Sequence, residues 1–370
     1  MAWAQLRLGD LGLSPRTAYV AASVVLVGLW VGYYVFDQFG FDSPGRDTWH
    51  HVAVLRELMA APFAPSNPHI PTNEPSRYFT PIALIAAVIG KALGSSPFLL
   101  FGYMGAATCI GFVVACWSFG RRYYGSPWAP LILFLTLLFA WGAQFPHTGL
   151  HDYATFLSNA AYPSTIALVL GIFSWAAALR LLECHEQPTV QLIFLAALSA
   201  VIFLEHQLSG VFVLAGTGSL ILFHERADVR SKTAALAAVA VGCLATLAWP
   251  YFPVLEVLLS GSDPRWASPS EEMNLVSTAM FLGAPAVVGV LGFRRSDGRV
   301  RWELLAPAAF FAAAYVALVL SHSPIAHRFP PAIILYCQLG VVWLALGYVE
   351  TSDHSRNVKS AVGVAATILI

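Results

Sequence analysis

Charged side chains are scarce in this sequence. They make up 11% of its 370 residues, whereas a soluble domain usually has about a quarter. Hydrophobic residues make up 58% and the mean hydropathy is +0.68, so there are too few polar side chains to cover a water-exposed surface. We therefore expect lipid to be the solvent for most of the chain.

An excess of charge of one sign and a functional pattern of cysteines are also missing. The formal net charge is zero, which excludes a strong electrostatic footprint for nucleic acid. The five cysteines lie mostly in apolar segments without metal-ligand spacing, so we interpret them as packing residues rather than as a disulfide framework. No internal repeat and no matching pair of interrupted helices is evident, and such pairs are the usual sequence signal of a transporter.

Long apolar runs recur along the whole chain and predict an all-α polytopic membrane protein. The full-length runs are 18–36, 97–119, 126–144, 162–182, 189–205, 208–224, 233–253, 275–293, 302–321 and 331–349. The first run follows Arg7 and Arg16 and has no Ala-x-Ala cleavage site after it, which predicts a retained signal-anchor helix. The last residues, 361–370, begin another apolar run that is too short to span, so we expect the protein to continue beyond this chain.

A shorter run at 79–94, which contains Pro81 and Lys91, decides the topology. If it lies in the membrane interface, the basic loops all fall on one side, as the positive-inside rule requires, and if it spans, that agreement is lost. We therefore predict a single transmembrane domain, 1–370, with about 10–11 transmembrane helices. Its first outer loop, 37–96, would hold interfacial helices at about 48–60 and 79–94.

The histidines were not used to build this topology and they support it. Most of the 11 histidines fall on the outer side, namely His50, His51, His69, His147, His151, His206, His322 and His327. A general preference of histidine for interfaces is the simpler alternative explanation. Because acidic residues cluster with them here, we expect a polar site on that side.

The outer loop after the first span carries the densest group of reactive side chains, the sequence RDTWHH at 46–51. The residues from 48 to 59 have an apolar stripe typical of an amphipathic surface helix. Asp47 would stand at its N-cap, which alone could explain a carboxylate there. The functional interpretation is a catalytic base or metal ligand at the water–lipid boundary, with His50 and His51 binding substrate within reach of it.

Two further outer segments supply candidate ligands. Arg77 and Tyr78 lie in a proline-rich loop, and Arg77 suits an anionic group such as a phosphate, with interfacial anchoring as an equal alternative. His147, His151 and Asp152 are candidate ligands of a divalent metal together with the acid of the first loop, although their spacing matches no specific metal motif. Asp152 is also a candidate second catalytic acid.

Two tight connections complete the candidates. Glu205 and His206 stand where two spans meet, and a Glu so close to hydrocarbon is costly unless it is paired or hydrated. His327 and Arg328 precede the last full-length run, where Arg328 could either snorkel or hold a phosphate. We include these four residues in the predicted substrate site.

Three segments together give the sequence a family resemblance. They are EPSRYFTP at 74–81, KALG at 91–94 and FGRRYYG at 119–125. This order of a proline–aromatic loop, a surface helix and a Gly-Arg-Arg-aromatic loop resembles the GT-C superfamily of membrane glycosyltransferases, such as the protein O-mannosyltransferases and aminoarabinose transferases. The likeness covers the first 160 residues by motif and the rest mainly by topology.

The resemblance implies a GT-C-like bundle and a polyprenyl-phosphate-linked sugar as donor substrate. It also implies an acid in the first outer loop, where Asp47 stands, a second acid where Asp152 stands, and a late basic residue where Arg328 stands. The histidines after Asp47 replace the paired acid of the family, so the role of a metal stays open. The acceptor would be a glycan, lipid or protein, and the site would face outward from a bacterial inner membrane.

The chemistry of sugar transfer fits the same residues independently. A carboxylate can take the proton of the acceptor hydroxyl, and Arg, His⁺ or a metal can stabilise the departing phosphate. The alternatives are a lipid or polysaccharide transporter or flippase, an O-antigen-type polymerase or ligase, and a non-catalytic assembly subunit. Few ionisable residues lie mid-span, which disfavours the transporter, and the longest outer loop is the first, which disfavours the polymerase.

Overall fold

The computed structural model describes residues 14–33, 48–69, 75–140, 153–183, 188–259, 283, 286–323 and 325–351. No β-strand occurs in these ranges. The helices are α1 (Pro15–Tyr33), α2 (Thr48–Ala60), α3 (Pro81–Leu93), α4 (Pro97–Tyr124), α5 (Ala129–Phe139), α6 (Tyr153–Asn159), α7 (Pro163–Glu183), α8 (Pro188–Glu205), α9 (Gln207–Leu222), α10 (Val229–Ala245), α11 (Val254–Leu259), α12 (Trp302–Leu320) and α13 (Pro330–Thr351).

Seven of the described helices are long and apolar enough to cross a membrane: α1, α4, α7, α8, α10, α12 and α13. Three further apolar helices, α3, α5 and α9, are shorter. The prediction of an all-α polytopic membrane protein is confirmed. The finer count of 10–11 spans and the GT-C-like arrangement stay predictions, and most of the run at 275–293 lies outside the described residues.

Helix bounds follow local sequence signals. Helix α3 begins where the hydroxyl of Thr80 accepts the N–H of Ala83, with Pro81 at the first position, where its missing N–H costs nothing. It ends at Gly94, whose φ of 64° is left-handed and suits glycine. Helices α2 and α3 thus match the two short helices predicted in the first outer loop, while α5 and α9 are shorter than their apolar runs.

The chain forms two compact units. The first unit comprises Met1–Val25, Cys116–Phe156 and Ala267–Ile370, and the second comprises Leu26–Ala115 and Leu157–Trp266. The single domain predicted over 1–370 stays a prediction.

In the first unit, helix α13 packs against both α5 and α12. The Gln338 side chain donates to the carbonyl of Thr136 at 3.3 Å, and the Tyr124 hydroxyl donates to the carbonyl of Leu339 at 2.9 Å. These side chain to backbone bonds satisfy polar groups within an otherwise apolar core.

In the second unit, α7, α8, α9 and α10 pack side by side, and α3 packs against both α2 and α8. The indole N–H of Trp175 donates to the carbonyl of Val213 at 2.8 Å, and the hydroxyls of Ser174 and Thr217 lie 2.7 Å apart. These bonds join the middle of α7 to the middle of α9. This bundle is the frame on which the candidate site rests.

Candidate functional site

The bundle α7–α10 of the second unit has one basic end and one histidine-bearing end. Apolar residues from the final turns of α7 and α9 pack together at one end, including Leu182 and Ile221. Arg180 lies there, the loop after α9 carries Arg226, and the first turn of α10 carries Arg230 and Lys232. Helix α8 ends at the opposite end with Glu205, and His206 alone joins it to α9. The structure therefore separates the basic loops of this unit from its predicted site residues.

Three histidines and two tyrosines form the polar core of the histidine-bearing end, which we call the histidine cluster: His50, His51, His69, Tyr78 and Tyr162. The ring of His51 lies 4.8 Å from that of Tyr162 and 5.5 Å from that of Tyr78. The ring of His69 lies 5.1 Å from that of Tyr78. Helix α2 presents His50 and His51, so its rigid backbone fixes both imidazoles.

The His51 imidazole is held in its neutral form. Burial, reinforced by the positive charge available to His50, His69 and His206, lowers the pKa of His51 from 6.5 to about 3. Burial and His50 also lower the pKa of His69. Neutral imidazoles keep one lone pair free, so at neutral pH both rings can accept a hydrogen bond or bind a metal.

Glu205 anchors helix α3 to the end of α8. Its side chain is buried, with 3% of its surface exposed, and one carboxyl oxygen accepts the backbone N–H of Ile82 at 2.5 Å. The Thr80 hydroxyl also hydrogen-bonds to this carboxyl. The first turn of a helix has N–H groups without a helical partner, and the Glu205 carboxyl supplies an acceptor for one of them. The two hydrogen bonds offset part of the cost of burying this side chain.

Two aromatic residues beyond α10 hold the segment that leads into α3. The indole N–H of Trp249 donates to the carbonyl of Phe79 at 3.1 Å, and the Tyr251 hydroxyl donates to the carbonyl of Pro62 at 2.7 Å. The first bond fixes the chain one residue after Tyr78. These contacts hold the chain at Pro62 and Phe79, on either side of His69 and Tyr78 of the histidine cluster.

An apolar groove runs between α3, α4 and α7, with a volume of about 330 Å³. Its walls include Ile85, Ile89 and Tyr103, whose side chains remain about half exposed. A smaller cavity beside it is lined by His51 and Tyr78. Met104 lines both spaces, so the groove lies directly beside the cavity at the histidine cluster.

The structure brings together six of the predicted residues in the second unit: His50, His51, Arg77, Tyr78, Glu205 and His206. Arg77 is exposed, with its guanidinium 5.6 Å from the ring centre of Tyr78. The His206 side chain accepts the N–H of Ser209 at 3.1 Å and so caps α9.

The other predicted site residues lie elsewhere. Arg328 is exposed at the end of a short 3-10 helix, Ala326–Arg328, in the first unit, and His327 is part of the same turn. The predicted acids Asp47 and Asp152 and the predicted metal ligands His147 and His151 lie outside the described residues. Their roles stay predictions.

Sequence reasoning missed several residues that complete the cluster. His69 was noted only for its side of the membrane, and Tyr162, Phe101 and Trp249 were read as parts of apolar runs. Phe101 stacks on His51 with ring centres 5.9 Å apart, and the Tyr162 hydroxyl lies 3.2 Å from that of Thr48. An aromatic residue at a span end carries no local signal of this role, because its partners are distant in sequence.

Within the described ranges, no group of three or more His, Cys, Asp or Glu side chains is arranged to hold a metal ion. Comparison of the chain with protein-family models and with curated proteins finds no match. The function is therefore inferred from the residues and their geometry.

Proposed function

We propose that this protein is a membrane glycosyltransferase that moves a sugar from a polyprenyl-phosphate donor to an acceptor hydroxyl. The observation that carries the proposal is that the apolar groove lies next to the histidine cluster, with Met104 in the wall between them. A lipid-linked donor has a long apolar chain and a polar head, so the groove suits the chain and the polar side chains of the cluster suit the head.

The donor lipid would enter the groove from the bilayer. The half-exposed walls at Ile85 and Tyr103 leave its side open, so an isoprenoid chain can slide in without leaving apolar surroundings. Its phosphate and sugar would then lie near His51 and Tyr78. Arg77, exposed beside Tyr78, supplies a fixed positive charge for the phosphate.

The reaction itself needs a base and a stabilised leaving group. The acceptor oxygen attacks the anomeric carbon, the bond from that carbon to the phosphate oxygen breaks, and polyprenyl phosphate leaves. In this proposal the Asp47 carboxylate, one residue before α2, takes the acceptor proton. Arg77 offsets the charge on the departing phosphate, and a metal ion held by a neutral imidazole would add positive charge there. Asp152 and Arg328 keep the supporting roles that the family resemblance implies.

The sidedness of the proposed site follows from charge. The histidine cluster lies at the opposite end of α7–α10 from Arg180, Arg226, Arg230 and Lys232. Under the positive-inside rule the basic end is cytoplasmic, so the reaction would occur on the extracytoplasmic face of a bacterial inner membrane. The acceptor there would be a glycan, a lipid or a protein.

The test is sugar transfer by the purified protein in lipid nanodiscs. We would supply a panel of radiolabelled polyprenyl-phosphate hexoses and pentoses and measure both labelled product and released polyprenyl phosphate. The proposal expects both to form with at least one donor. A lipid flippase would use the same kind of groove, so inversion of a fluorescent donor analogue is measured in parallel vesicles. Inversion without bond cleavage for every donor would overturn the transferase proposal.

A further inference from the structure

His50 and His69 face each other through the same ring nitrogen. His50 projects from α2 and is exposed, whereas His69, 19 residues later, is half-buried. Their Nδ1 atoms lie 3.2 Å apart, their ring centres 4.8 Å apart, and their planes 65° apart. Two side chains on separate segments thus bring the same ring nitrogen within hydrogen-bonding distance of each other.

The spacing fits a shared ion at least as well as a shared proton. A straight N–H···N bond at this nitrogen distance would put the ring centres about 5.5 Å apart. Two imidazoles bound to one tetrahedral ion at about 2.05 Å would have nitrogens about 3.3 Å apart and ring centres about 5.2 Å apart. The observed ring separation of 4.8 Å is closer to the second arrangement.

The two rings are also held before any ion binds. The His69 backbone N–H donates to the side-chain carbonyl of Asn67 at 3.0 Å, and the Tyr78 ring packs on the imidazole. His50 stands on a helix whose opposite face is buried through Val52 and Leu55. A metal site gains affinity from such fixed ligands, because less conformational freedom is lost on binding.

We propose that His50 and His69 form a binding site for a first-row divalent transition ion, with Zn²⁺ best suited to the spacing. Imidazole nitrogens favour Zn²⁺, Ni²⁺ and Cu²⁺ over Mg²⁺ or Ca²⁺, which prefer oxygen ligands. No third protein ligand stands beside the pair among the described residues. The remaining positions of the ion are filled by oxygen ligands, water or phosphate, which makes the site open rather than closed.

The test measures metal binding and needs no sugar substrate, so its result is independent of the proposed transferase function. The protein is purified without a histidine tag, stripped with chelator, placed in nanodiscs and titrated with Zn²⁺ by calorimetry, with Mg²⁺ as the contrasting ion. Removal of outer-shell partners alone costs metal sites about 10- to 100-fold in affinity. We therefore expect His50→Gln and His69→Gln each to weaken Zn²⁺ binding by at least about tenfold. The double variant should be little worse than either.

The matched control is His322→Asn, which removes an exposed histidine of the other unit. Its φ of 54° is left-handed, and Asn tolerates that conformation. This variant should bind Zn²⁺ as the wild type does. As a readout that needs no variant, Zn²⁺ should protect His50 of the wild-type protein from carbethoxylation by diethylpyrocarbonate. Unchanged affinity in both glutamine variants, or no protection of His50, would overturn the proposal.

Discussion

Protonation of a single side chain, His51, makes the stability of the folded protein depend on pH. The folded protein resists protonating this imidazole, since its pKa falls to about 3 against 6.5 in an exposed chain. Between those two values the unfolded chain binds more protons than the folded one, so stability rises with pH. The stabilisation is complete above about pH 6.5 and is lost as the pH falls toward 3.

We predict that lowering the pH from 7 to 5 costs the wild-type protein about 2 kcal/mol of stability through His51. The His51→Phe variant keeps an aromatic ring against Phe101 and Tyr162 but cannot take up the proton. Thermal unfolding in detergent at the two pH values measures the difference. An equal loss of melting temperature in both proteins would contradict this account of His51.

Glu205 is the second residue with a testable local role. Its carboxyl accepts the Ile82 N–H, and a buried N–H left without an acceptor costs about 1–3 kcal/mol. We predict that Glu205→Leu lowers stability by about that amount, whereas Glu205→Gln, which keeps an acceptor oxygen, has a much smaller effect. Intrinsic tryptophan fluorescence during heating measures both. Equal destabilisation by the two variants would show that the hydrogen bond to α3 is not the reason for Glu205.

Single residues were the hardest level to predict from sequence. His50, His51 and Glu205 were found because ionisable groups are rare in this chain and stand out near apolar runs. The stacking of Phe101 and Tyr162 on His51 joins segments tens of residues apart, and no local pattern encodes it. The contact of His50 with His69 joins a helix to a loop 19 residues later, which is also a tertiary effect.

The helices themselves were largely predictable. Apolar runs and punctuating residues such as Pro81 and Gly94 placed α3 within two residues of its observed bounds, Pro81–Leu93. The run at 126–144 was less informative because apolar composition continues beyond α5, which ends at Phe139. Composition reports which segments prefer lipid, whereas backbone hydrogen bonding determines where a helix ends.

Close packing between α7 and α9 depends on Gly171. A Cβ atom there would overlap the side chain of Val213 on α9. We predict that Gly171→Ala costs about 1–3 kcal/mol through overpacking. The matched control is Gly218→Ala on α9, whose added Cβ would meet only Leu236, at 4.0 Å. Melting temperatures of the two variants in detergent provide the measurement. A loss of stability in the control as large as in Gly171→Ala would contradict this packing argument.

At the scale of the whole molecule, the groove between α3, α4 and α7 makes a kinetic prediction. Ala107 lines the groove, and a phenylalanine there would fill space that the lipid chain of the proposed donor would occupy. We predict that Ala107→Phe raises the KM for the polyprenyl-phosphate donor roughly tenfold, equal to about 1.4 kcal/mol of lost binding. The turnover number should change much less.

The control variant introduces a phenylalanine at an exposed position away from the groove. Val190 is exposed on α8 and does not line the groove, so Val190→Phe should leave the KM unchanged. Steady-state transfer in nanodiscs at varied donor concentration measures both variants. If the two substitutions alter the KM equally, the groove is not the donor site.

The composition predicts a membrane protein, and the positions of the basic residues predict that α7–α10 has two different ends. Neither observation predicts the reaction. The proposed roles of the groove, the histidine cluster and Asp47 can be tested together only by measuring the transfer reaction. The most direct measurement is sugar transfer by the Asp47→Asn protein. We predict that transfer falls by about 10²- to 10⁴-fold, while donor binding and melting temperature stay those of the wild type. Full transfer by this variant would contradict the account.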